Sequence, residues 1–512
     1  MRYVPALIGF GIAAATSIGI PSISFATADV PLDDPVYLQL YRLQDRGLIP
    51  VAPLSGLLPL TESRVQTLLL SAKQPLNGFL LPPNVAGLWI RPATRLSSRL
   101  DFNDSLARAY SVPARPRGLA GTVDLACEHQ EGRPCGSGAL GLMELDSSMG
   151  YGSWISAFSR LSSNVSSDES AAVKVDRLYG NLELGPTEFS VGRNILSIGP
   201  GRRTQLIWGS QPPPLTHIGL SVGSIDLDPI RVKLGGAYFV GRLDSPQRFR
   251  GNLVTVSRAY LQIADRLSLG ISNLMLLGGD GAPSFTFGQF IEEHLHRTGQ
   301  WPGTGISDRR VAGDLTLQVP SLKSTFYVEV AFEDSRKQFA SALAYDTDYL
   351  VGWAASSLGR NGTYGFLIEF SRTGVRSQEH DTFATGTTSG ARTLGSALGP
   401  EATSVYVSPR WDISKLAVSV SPWSEVVRIG SDLYDFPENA AIRRRASGLA
   451  EVRLRAGLKL LGNLTDALRF EAGGFTERVH NEAFQLGSRT NMGLNVSLTA
   501  RGFGTQKVAT SK

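Results

Sequence analysis

Residues 326–333 read Phe326-Tyr327-Val328-Glu329-Val330-Ala331-Phe332-Glu333, and this stretch alternates between two kinds of side chain. Every second residue from Phe326 onward is apolar, whereas Glu329 and Glu333 place charge on the other side. Successive side chains of a β-strand point to opposite faces, so a period of two predicts a strand with one apolar and one polar face.

The same alternation recurs along most of the chain, at residues 119–126, 230–236, 364–371 and 451–459. A soluble β-sandwich rarely sustains this pattern over such a length without a domain break. In lipid, an open sheet edge would leave backbone groups unpaired, so a membrane sheet must close. The pattern predicts an all-β fold, a transmembrane antiparallel β-barrel of about 16–20 strands spanning residues 115–512.

The composition also favours a membrane barrel. Charged residues make up 19% of the 512, and 55 residues are glycine. The longest uncharged stretch beyond the N-terminus, Thr204–Ile225, contains Pro212-Pro213-Pro214 and so cannot form a spanning helix. The formal net charge of +5 is too small for a nucleic-acid binder of this size, and no nucleic-acid partner is expected.

The first 28 residues have the form of a signal peptide. Arg2 gives a positive start, Val4–Ile20 is apolar and rich in small residues, and Ala26-Thr27-Ala28 offers a cleavage site. A transmembrane anchor is the weaker alternative, because the apolar run is short and interrupted by Pro5 and Pro21. We therefore expect export and a location in the bacterial outer membrane.

A helical period follows the signal peptide. Asp33-Asp34-Pro35 is a helix start and Gly47 a natural stop, and a second helical pattern begins at Thr61. These signals predict an N-terminal periplasmic helical segment, assigned to residues 29–114, ahead of the barrel.

The C-terminus and the connections also fit an outer-membrane barrel. Asn491–Leu498 has the polar-x-Gly form of a last barrel strand, which resembles the signal read by the barrel-assembly machinery, although Val496 and Leu498 replace the commoner aromatic residues. Outer-membrane barrels have short turns inside and long loops outside. The long connections, assigned to the extracellular side, are Pro283–Arg310, Arg372–Thr403 and Pro422–Ser447.

Two cysteines, Cys127 and Cys135, flank a turn-like stretch. In an oxidising periplasm they favour a disulfide that closes a hairpin. A zinc site formed with His129 is the alternative, but a clear fourth ligand is missing.

Motifs for catalysis are not found in the sequence. The six histidines are scattered, and His294-x-His296 has no third ligand marked beside it. There is no G-x-S-x-G, H-E-x-x-H or phosphate loop. We therefore expect no enzyme activity, no cofactor and no metal.

The strongest local signal runs from Val191 to Arg203, where a strand ends in Gly199-Pro200-Gly201 and two arginines follow, Arg202 and Arg203. A tight hairpin with solvated charges is the simplest structural interpretation. Pro213-Pro214-Leu215 then precedes the next strand.

With Gly192-Arg193, Gly199-Pro200-Gly201 and Pro213-Pro214-Leu215 in this order, the sequence resembles the Wzi family of capsule-assembly outer-membrane proteins. Members share an "lGr" strand, a "WGPG" turn and a "p-P-l" step; Ile198 stands here in place of the tryptophan. Three further stretches match in order, together with the helical N-terminus: Ser307–Asp314, Asp348–Gly352 and Leu394–Ala402.

The resemblance implies a closed barrel of about 18 strands that acts as a surface lectin and holds capsular or extracellular polysaccharide. Outer-membrane lipid and a polysaccharide export complex are the further partners implied. A diffusion porin or sugar-selective channel is the alternative function. Its loops would line an open pore, whereas those of a lectin would fill the lumen.

Candidate glycan contacts are arginines and aromatic residues, because Arg binds carboxylates in a bidentate manner and sugar faces stack on rings. The arginines are Arg202 and Arg203 beside the turn, and Arg443-Arg444-Arg445 on a long loop. The alternatives are a solvated loop for the triplet and membrane-interface girdles for the rings. Trp301 is the first aromatic candidate, and the others are Trp353, Trp411, Trp423, Tyr434 and Phe436.

Overall fold

The structure is a computed structural model. It describes residues 29–73, 88–103, 110–111, 122–123, 133, 138–151, 154–166, 172–227, 231–245, 247–294, 306–333, 346–375, 377–378, 380, 382–383, 385–390, 392–413, 416–430, 434–435, 443–444, 449–465, 468–482, 486–501 and 506–507. The predicted signal peptide, both cysteines, His129, Trp301, Phe436 and Arg445 lie outside these residues.

Eighteen long strands within the described residues form one closed antiparallel barrel, which confirms the predicted fold class. They are β1 Leu88–Asn103, β2 Gly138–Tyr151, β3 Ile155–Ser166, β4 Ala172–Leu184, β5 Thr187–Asn194, β6 Leu215–Leu227, β7 Val232–Arg242, β8 Leu253–Ile263, β9 Leu267–Leu277, β10 Ser307–Val319, β11 Ser324–Glu333, β12 Thr347–Leu358, β13 Tyr364–Arg372, β14 Ala402–Ile413, β15 Val418–Ile429, β16 Glu451–Asn463, β17 Leu468–His480 and β18 Ser488–Arg501.

The barrel closes where β1 pairs with β18, with Arg95 opposite Arg501 and Asn103 opposite Gly493. Thus β1 belongs to the barrel although the sequence analysis assigned its residues to the helical segment. Conversely, Thr122–Val123 pairs with Tyr110–Ser111 in a separate two-stranded sheet and is not a barrel strand.

The two faces of the strands differ as their alternation predicts. On β11, Val328 points outward and is 37% exposed, whereas Glu329 points inward and is fully buried. On β16, Leu454 and Arg453 show the same contrast. The apolar face is therefore the outer surface, and the charges lie in the lumen. No helix within the described part of the chain has the length and apolar character to cross a bilayer.

The two ends of the barrel have connections of unequal length. At one end the turns are tight, for example residues 185–186 between β4 and β5, and residues 264–266 between β8 and β9. At the other end lie the long connections, such as residues 278–306, 373–401 and 430–450. In outer-membrane barrels the tight turns are periplasmic, which assigns the long connections to the outside. The predicted third loop begins later than expected, because β15 runs on to Ile429.

In the described part of the chain before β1 there are three helices: α1 Pro35–Asp45, α2 Ala52–Ser55 and α3 Glu62–Ser71. Asp34 caps α1 through a bond from the Val36 N–H, and Thr61 caps α3. Their apolar side chains form a separate core around Leu40, Leu54, Val65 and Leu69.

This helical segment sits against the tight turns and the inner wall. The backbone N–H of Val51 donates to the carbonyl of Asp265 (3.1 Å), in the turn between β8 and β9. A Cβ on Gly47 would lie 2.5 Å from Pro320, in the short 3₁₀ turn Pro320–Leu322 before β11. The segment therefore occupies the periplasmic end of the lumen.

The described residues also form four short strand pairings and one more helix. The helix is α4, Phe287–His294, and the pairings are Leu57–Leu58 with Ser197–Ile198, Thr388–Ser389 with Arg392–Thr393, Tyr434–Asp435 with Arg443–Arg444, and Trp89–Ile90 with Gln506–Lys507.

Candidate functional site: a cationic cavity in the barrel lumen

The chain between β5 and β6, residues 195–214, folds into the barrel and is called here the lumen loop. Its strand residues Ser197–Ile198 pair with Leu57–Leu58 of the helical segment. Leu206, Ile207 and Trp208 are almost fully buried in an apolar cluster with wall residues. The simple hairpin with solvated charges was therefore the wrong interpretation. Burial of the apolar run Leu206–Trp208, which follows the two arginines, stabilises the loop inside the barrel.

The Gly199-Pro200-Gly201 turn lies at the centre of the lumen loop. Gly199 has φ of +129°, which a residue with a Cβ rarely adopts. A Cβ on Gly201 would lie 1.6 Å from the carbonyl oxygen of Thr204 and 2.7 Å from Leu350. Both glycines are thus required by local geometry, and the turn is an architectural element.

Two inward carboxylates hold the turn. The backbone N–H groups of Arg202 and Arg203 donate to one oxygen of Glu369 (2.8 and 3.0 Å), and that of Thr204 donates to the other (3.1 Å). The Leu206 N–H donates to Glu329 (3.1 Å). Four backbone hydrogen bonds to these two wall residues therefore fix the position of the loop.

A second long connection, residues 373–401, packs onto the lumen loop from the outside. The Gly209 N–H donates to the carbonyl of Leu394 (2.6 Å), and the Gln211 amide donates to Thr393 (3.2 Å). Phe383 and Leu394 are fully buried in the same apolar cluster as Trp208. Loops and the helical segment therefore fill much of the lumen.

Arg202 joins the turn to the helical segment. Its guanidinium forms a salt bridge with Asp45 at the end of α1, and its carbon Cζ lies 4.5 Å from the centre of the Tyr41 ring. Burial raises the pKa of Tyr41 to about 12, although the Arg202 charge opposes this. Arg202 is thus mainly committed to holding the loop and helix together.

Arg203 points the other way, toward β14 and β15. It pairs with Glu425 (2.7 Å), and its Cζ lies 4.3 Å from the centre of the Tyr406 ring and 6.0 Å from that of Trp423. Arg455 shares Glu425 (2.8 Å) and lies 5.5 Å from the Trp423 ring. Two arginines and two aromatic rings thus form one continuous surface.

This surface is part of the wall of a cavity of about 510 Å³, called here the lumen cavity. Four carboxylates and eight cationic side chains line it, so cations outnumber carboxylates on its surface. Three of the cations pair with Asp45 or Glu425, which do not line the cavity. Its aromatic lining includes Phe475 besides Tyr406 and Trp423. The cations are Arg95, Arg99, Arg133, Arg202, Arg203, Arg455, Lys459 and Arg469.

The cavity is open to water at Lys459. The Lys459 side chain is 54% exposed although it points into the barrel, and it pairs with Glu471 (2.9 Å). Arg469 lies 3.8 Å from the same carboxylate. One carboxylate therefore serves two cations, which leaves positive charge available to a ligand.

The other side of the cavity is a tighter cluster. Asp33 accepts from Arg95 (2.8 and 2.9 Å) and from Arg133 (2.9 Å), and Arg133 also binds Glu144 (2.7 Å). Burial alone would raise the pKa of the Asp33 carboxyl, but the guanidinium groups of Arg95 and Arg133 hold it well below its usual range. This cluster anchors the start of the helical segment to β1.

The remaining candidates fall in different places. Trp423 faces the cavity, while Trp353 and Trp411 point outward, are 40% exposed each, and belong to the lipid-facing surface. Arg443 and Arg444 lie in a short strand on an outer loop, paired with Tyr434–Asp435. Within the described residues, no group of three or more His, Cys, Asp and Glu side chains is arranged to hold a metal ion.

Sequence reasoning missed most of the cavity. Arg455 and Lys459 lie on a strand whose charged face the alternation predicts, but the pattern does not say which strands lie beside the turn. The strand that carries Glu471 was not predicted. Trp423 was placed in a loop, although the alternating Val418–Ile429 was the available signal.

Comparisons with known proteins agree with this architecture. The sequence pattern of the family "Capsule assembly protein Wzi" matches residues 111–416. Wzi of Escherichia coli, described as an outer membrane protein involved in group 1 capsule assembly and a carbohydrate-binding β-barrel, is 16% identical with a TM-score of 0.63; the alignment covers 92% of this chain and 98% of that one.

Other solved barrels are more distant. OccD3 (OpdP) of Pseudomonas aeruginosa is 11% identical over 81% of this chain and 92% of its own, with a TM-score of 0.47. For OprD of the same organism the identity is 10%, the coverage 82% and 96%, and the TM-score 0.43. No curated protein sequence matches the chain. Because the family pattern matches more than half of the sequence, the chain belongs to the Wzi family of capsule assembly proteins, as an outer-membrane β-barrel.

Proposed function

We propose that this protein binds a capsular or extracellular polysaccharide at the cell surface and helps to retain or assemble it, without catalysing a reaction. The observation that carries the proposal is the lumen cavity, where cations outnumber carboxylates on the surface that also carries Tyr406, Trp423 and Phe475. At about 510 Å³ it falls within the range of about 300–1,000 Å³ typical of ligand pockets.

The cavity chemistry favours an acidic polysaccharide. Sugar carboxylates pair with guanidinium and ammonium groups, and the apolar face of a sugar ring packs on an aromatic ring. Lys459 and Arg469 share Glu471 and are the cations best placed to accept a further carboxylate. The related barrel from Escherichia coli is described as carbohydrate-binding, which supports the same assignment.

The filled lumen argues against the alternative of a diffusion porin or sugar-selective channel. An open pore needs a continuous water path, whereas here the lumen loop, the 373–401 connection and the helical segment all occupy the interior. Export through the signal peptide 1–28, folding by the barrel-assembly machinery and contact with an export complex belong to the same proposal.

A binding measurement with purified protein tests the proposal. The double variant Lys459→Gln with Arg469→Gln should bind immobilised alginate, a polyuronate, several-fold more weakly than the native protein. Carboxyl-reduced alginate should bind weakly to both. Because exposed charges are screened within about 10 Å at 0.1 M salt, native binding should also fall as salt rises.

Lys174→Gln is the matched control. Lys174 also points into the barrel, is 47% exposed and faces one carboxylate, Asp176 (3.9 Å), but it does not line the cavity. Its variant should bind like the native protein. Equal binding by the cavity double variant would exclude the cavity as the polysaccharide site.

The Arg443-Arg444-Arg445 triplet is proposed as a second patch for anionic glycan, from its charge and its place on an outer loop. Arg443→Glu with Arg444→Glu should weaken polysaccharide retention by cells while the barrel still assembles. If cells with this double variant retain as much polysaccharide as native cells in low-salt medium, the triplet is a solvated loop and not a glycan-binding patch.

A further inference from the structure

Part of the outer wall of the barrel is covered by its own chain. Thr255 and Met275 are partners across β8 and β9 and lie on the outward face of these strands. Other outward residues of the same strands are open, with Leu253 37% and Ile271 57% exposed. Thr255 and Met275 are only 2% and 1% exposed. The cover is provided by the connection between β9 and β10, which includes helix α4.

His294 attaches the end of α4 to this wall. Its Nε2 lies 3.0 Å from the hydroxyl oxygen of Tyr238 and 3.3 Å from that of Thr255, both on outward-facing positions. Its Nδ1 lies 2.8 Å from the carbonyl oxygen of Phe290, one helical turn earlier. The imidazole thus links the helix to β7 and β8.

Glu293 makes a second attachment, to β10. Its side chain, 3% exposed, accepts a hydrogen bond from Ser307 (2.7 Å) and pairs with Arg309 (3.2 Å). The Arg309 guanidinium also donates to the Glu293 carbonyl (3.0 Å). The C-terminal end of α4 is therefore fixed to the wall by polar contacts.

The outer surface of α4 exposes two apolar side chains. Phe287 is 64% exposed and Ile291 is 40% exposed, and residues four apart lie on the same helix face. The rings of Phe285 and Phe287 stack against Phe290, at 6.4 and 6.3 Å between centroids. The exposed surface is thus an apolar ridge of more than one side chain, with the exposed Glu292 beside it.

The position of this ridge on the barrel indicates which surroundings it contacts. The wall residues beneath α4 lie two to four positions from the loop ends of β7, β8 and β9, which is the outer end of the barrel. The apolar wall on both sides of the helix contacts lipid, and the ridge continues that surface outward. An amphipathic helix in such a place lies in the membrane interface.

We propose that α4 is an interfacial helix whose Phe287 and Ile291 face binds the acyl chains of the outer leaflet, close to the headgroups. A second copy of this chain and water are the other occupants to be distinguished. The helix would then set the depth of the barrel in the membrane independently of polysaccharide binding.

Spin labelling tests this assignment. In a Cys127→Ser, Cys135→Ser background, single cysteines replace Phe287, the outward-facing Val351 or Asn361 in a periplasmic turn, and each carries a nitroxide. The protein is placed in dilauroylphosphatidylcholine vesicles. The label at 287 should collide with oxygen and be protected from a water-soluble nickel chelate, at a depth between the labels at 351 and 361.

Two results would overturn the proposal: nickel access equal to that of the label at 361, or protection from both reagents, which would mean coverage by protein. If removal of the cysteines prevents folding, Phe287→Trp in the otherwise native chain serves instead. Its added fluorescence should be quenched by brominated lipid. Quenching by aqueous iodide instead would contradict the proposal.

Discussion

At the scale of residues, the lumen loop depends on contacts of which the local sequence predicts only one side. Gly199-Pro200-Gly201 predicts a turn, because its glycines and proline restrict the backbone in a recognisable way. Its acceptors, Glu329 and Glu369, lie more than a hundred residues further along the chain. They are visible in the sequence only as charges on the polar face of two strands. The turn was therefore predictable and its partners were not.

Gly201→Ala tests the steric part of this account. The new Cβ would meet the Thr204 carbonyl oxygen at 1.6 Å, and backbone atoms cannot yield as a side chain can. Overpacking of this kind costs about 1–3 kcal/mol. The temperature at which the folded band disappears in heat-modifiability gels should fall. Gly313→Ala is the control, because a Cβ there would meet no atom within 4 Å, and an equal fall in both variants would disprove the steric explanation.

Asp33 gives a prediction about pH. Arg95 and Arg133 lower the pKa of Asp33 in the folded protein. The ionised carboxylate therefore contributes fully to the free energy of unfolding above the unfolded pKa of about 4, and this contribution is lost as the pH falls through the folded pKa. Asp33→Asn should lower the free energy of unfolding at pH 7 by about 2 kcal/mol, which is the contribution of one hydrogen bond to a charged group. The difference between the two proteins should stay constant down to about pH 5 and shrink toward pH 2. A difference that grows on acidification would contradict this assignment.

At the scale of elements, alternation identified strands but not every boundary. Residues 364–371 and 451–459 were predicted as strands and lie in β13 and β16. The strand β1 was missed because Pro92, Thr94 and Ser98 interrupt the apolar residues at its even positions. The sequence pattern also could not predict whether a loop folds into the lumen. A run such as Leu206-Ile207-Trp208 is apolar whether it enters the lumen or packs elsewhere.

The lumen loop can be removed without breaking the wall. Asn194 of β5 lies directly opposite Leu215 of β6, so a two-residue Asn-Gly turn can replace residues 195–214. The shortened barrel should fold and show stable conductance steps in a planar bilayer. The full chain should show little steady conductance, because its interior is occupied.

The matched control shortens a connection outside the lumen. His480 of β17 pairs with Ser488 of β18, so residues 481–487 can be replaced by the same turn. That variant should conduct as little as the full chain. A loop-free barrel that stays closed would mean that the helical segment or the 373–401 connection alone blocks the pore.

At the scale of the whole molecule, three parts of the chain meet at one cationic cavity inside a closed barrel. The wall supplies Lys459, Arg469 and Trp423, the lumen loop supplies Arg203, and the helical segment supplies Asp33. An Arg-rich sequence predicted carboxylate recognition. The location of the site could not be predicted, because closure of the barrel brings together strands that are far apart in sequence.

The most direct test of the central claim uses cells from which this gene has been deleted. The account predicts that exported polysaccharide is still made but is shed into the medium, so that its cell-associated fraction drops. The native gene and Lys174→Gln should restore retention, and Lys459→Gln with Arg469→Gln should restore it only in part. Deleted cells that keep all their polysaccharide, with none released, would contradict the proposed function.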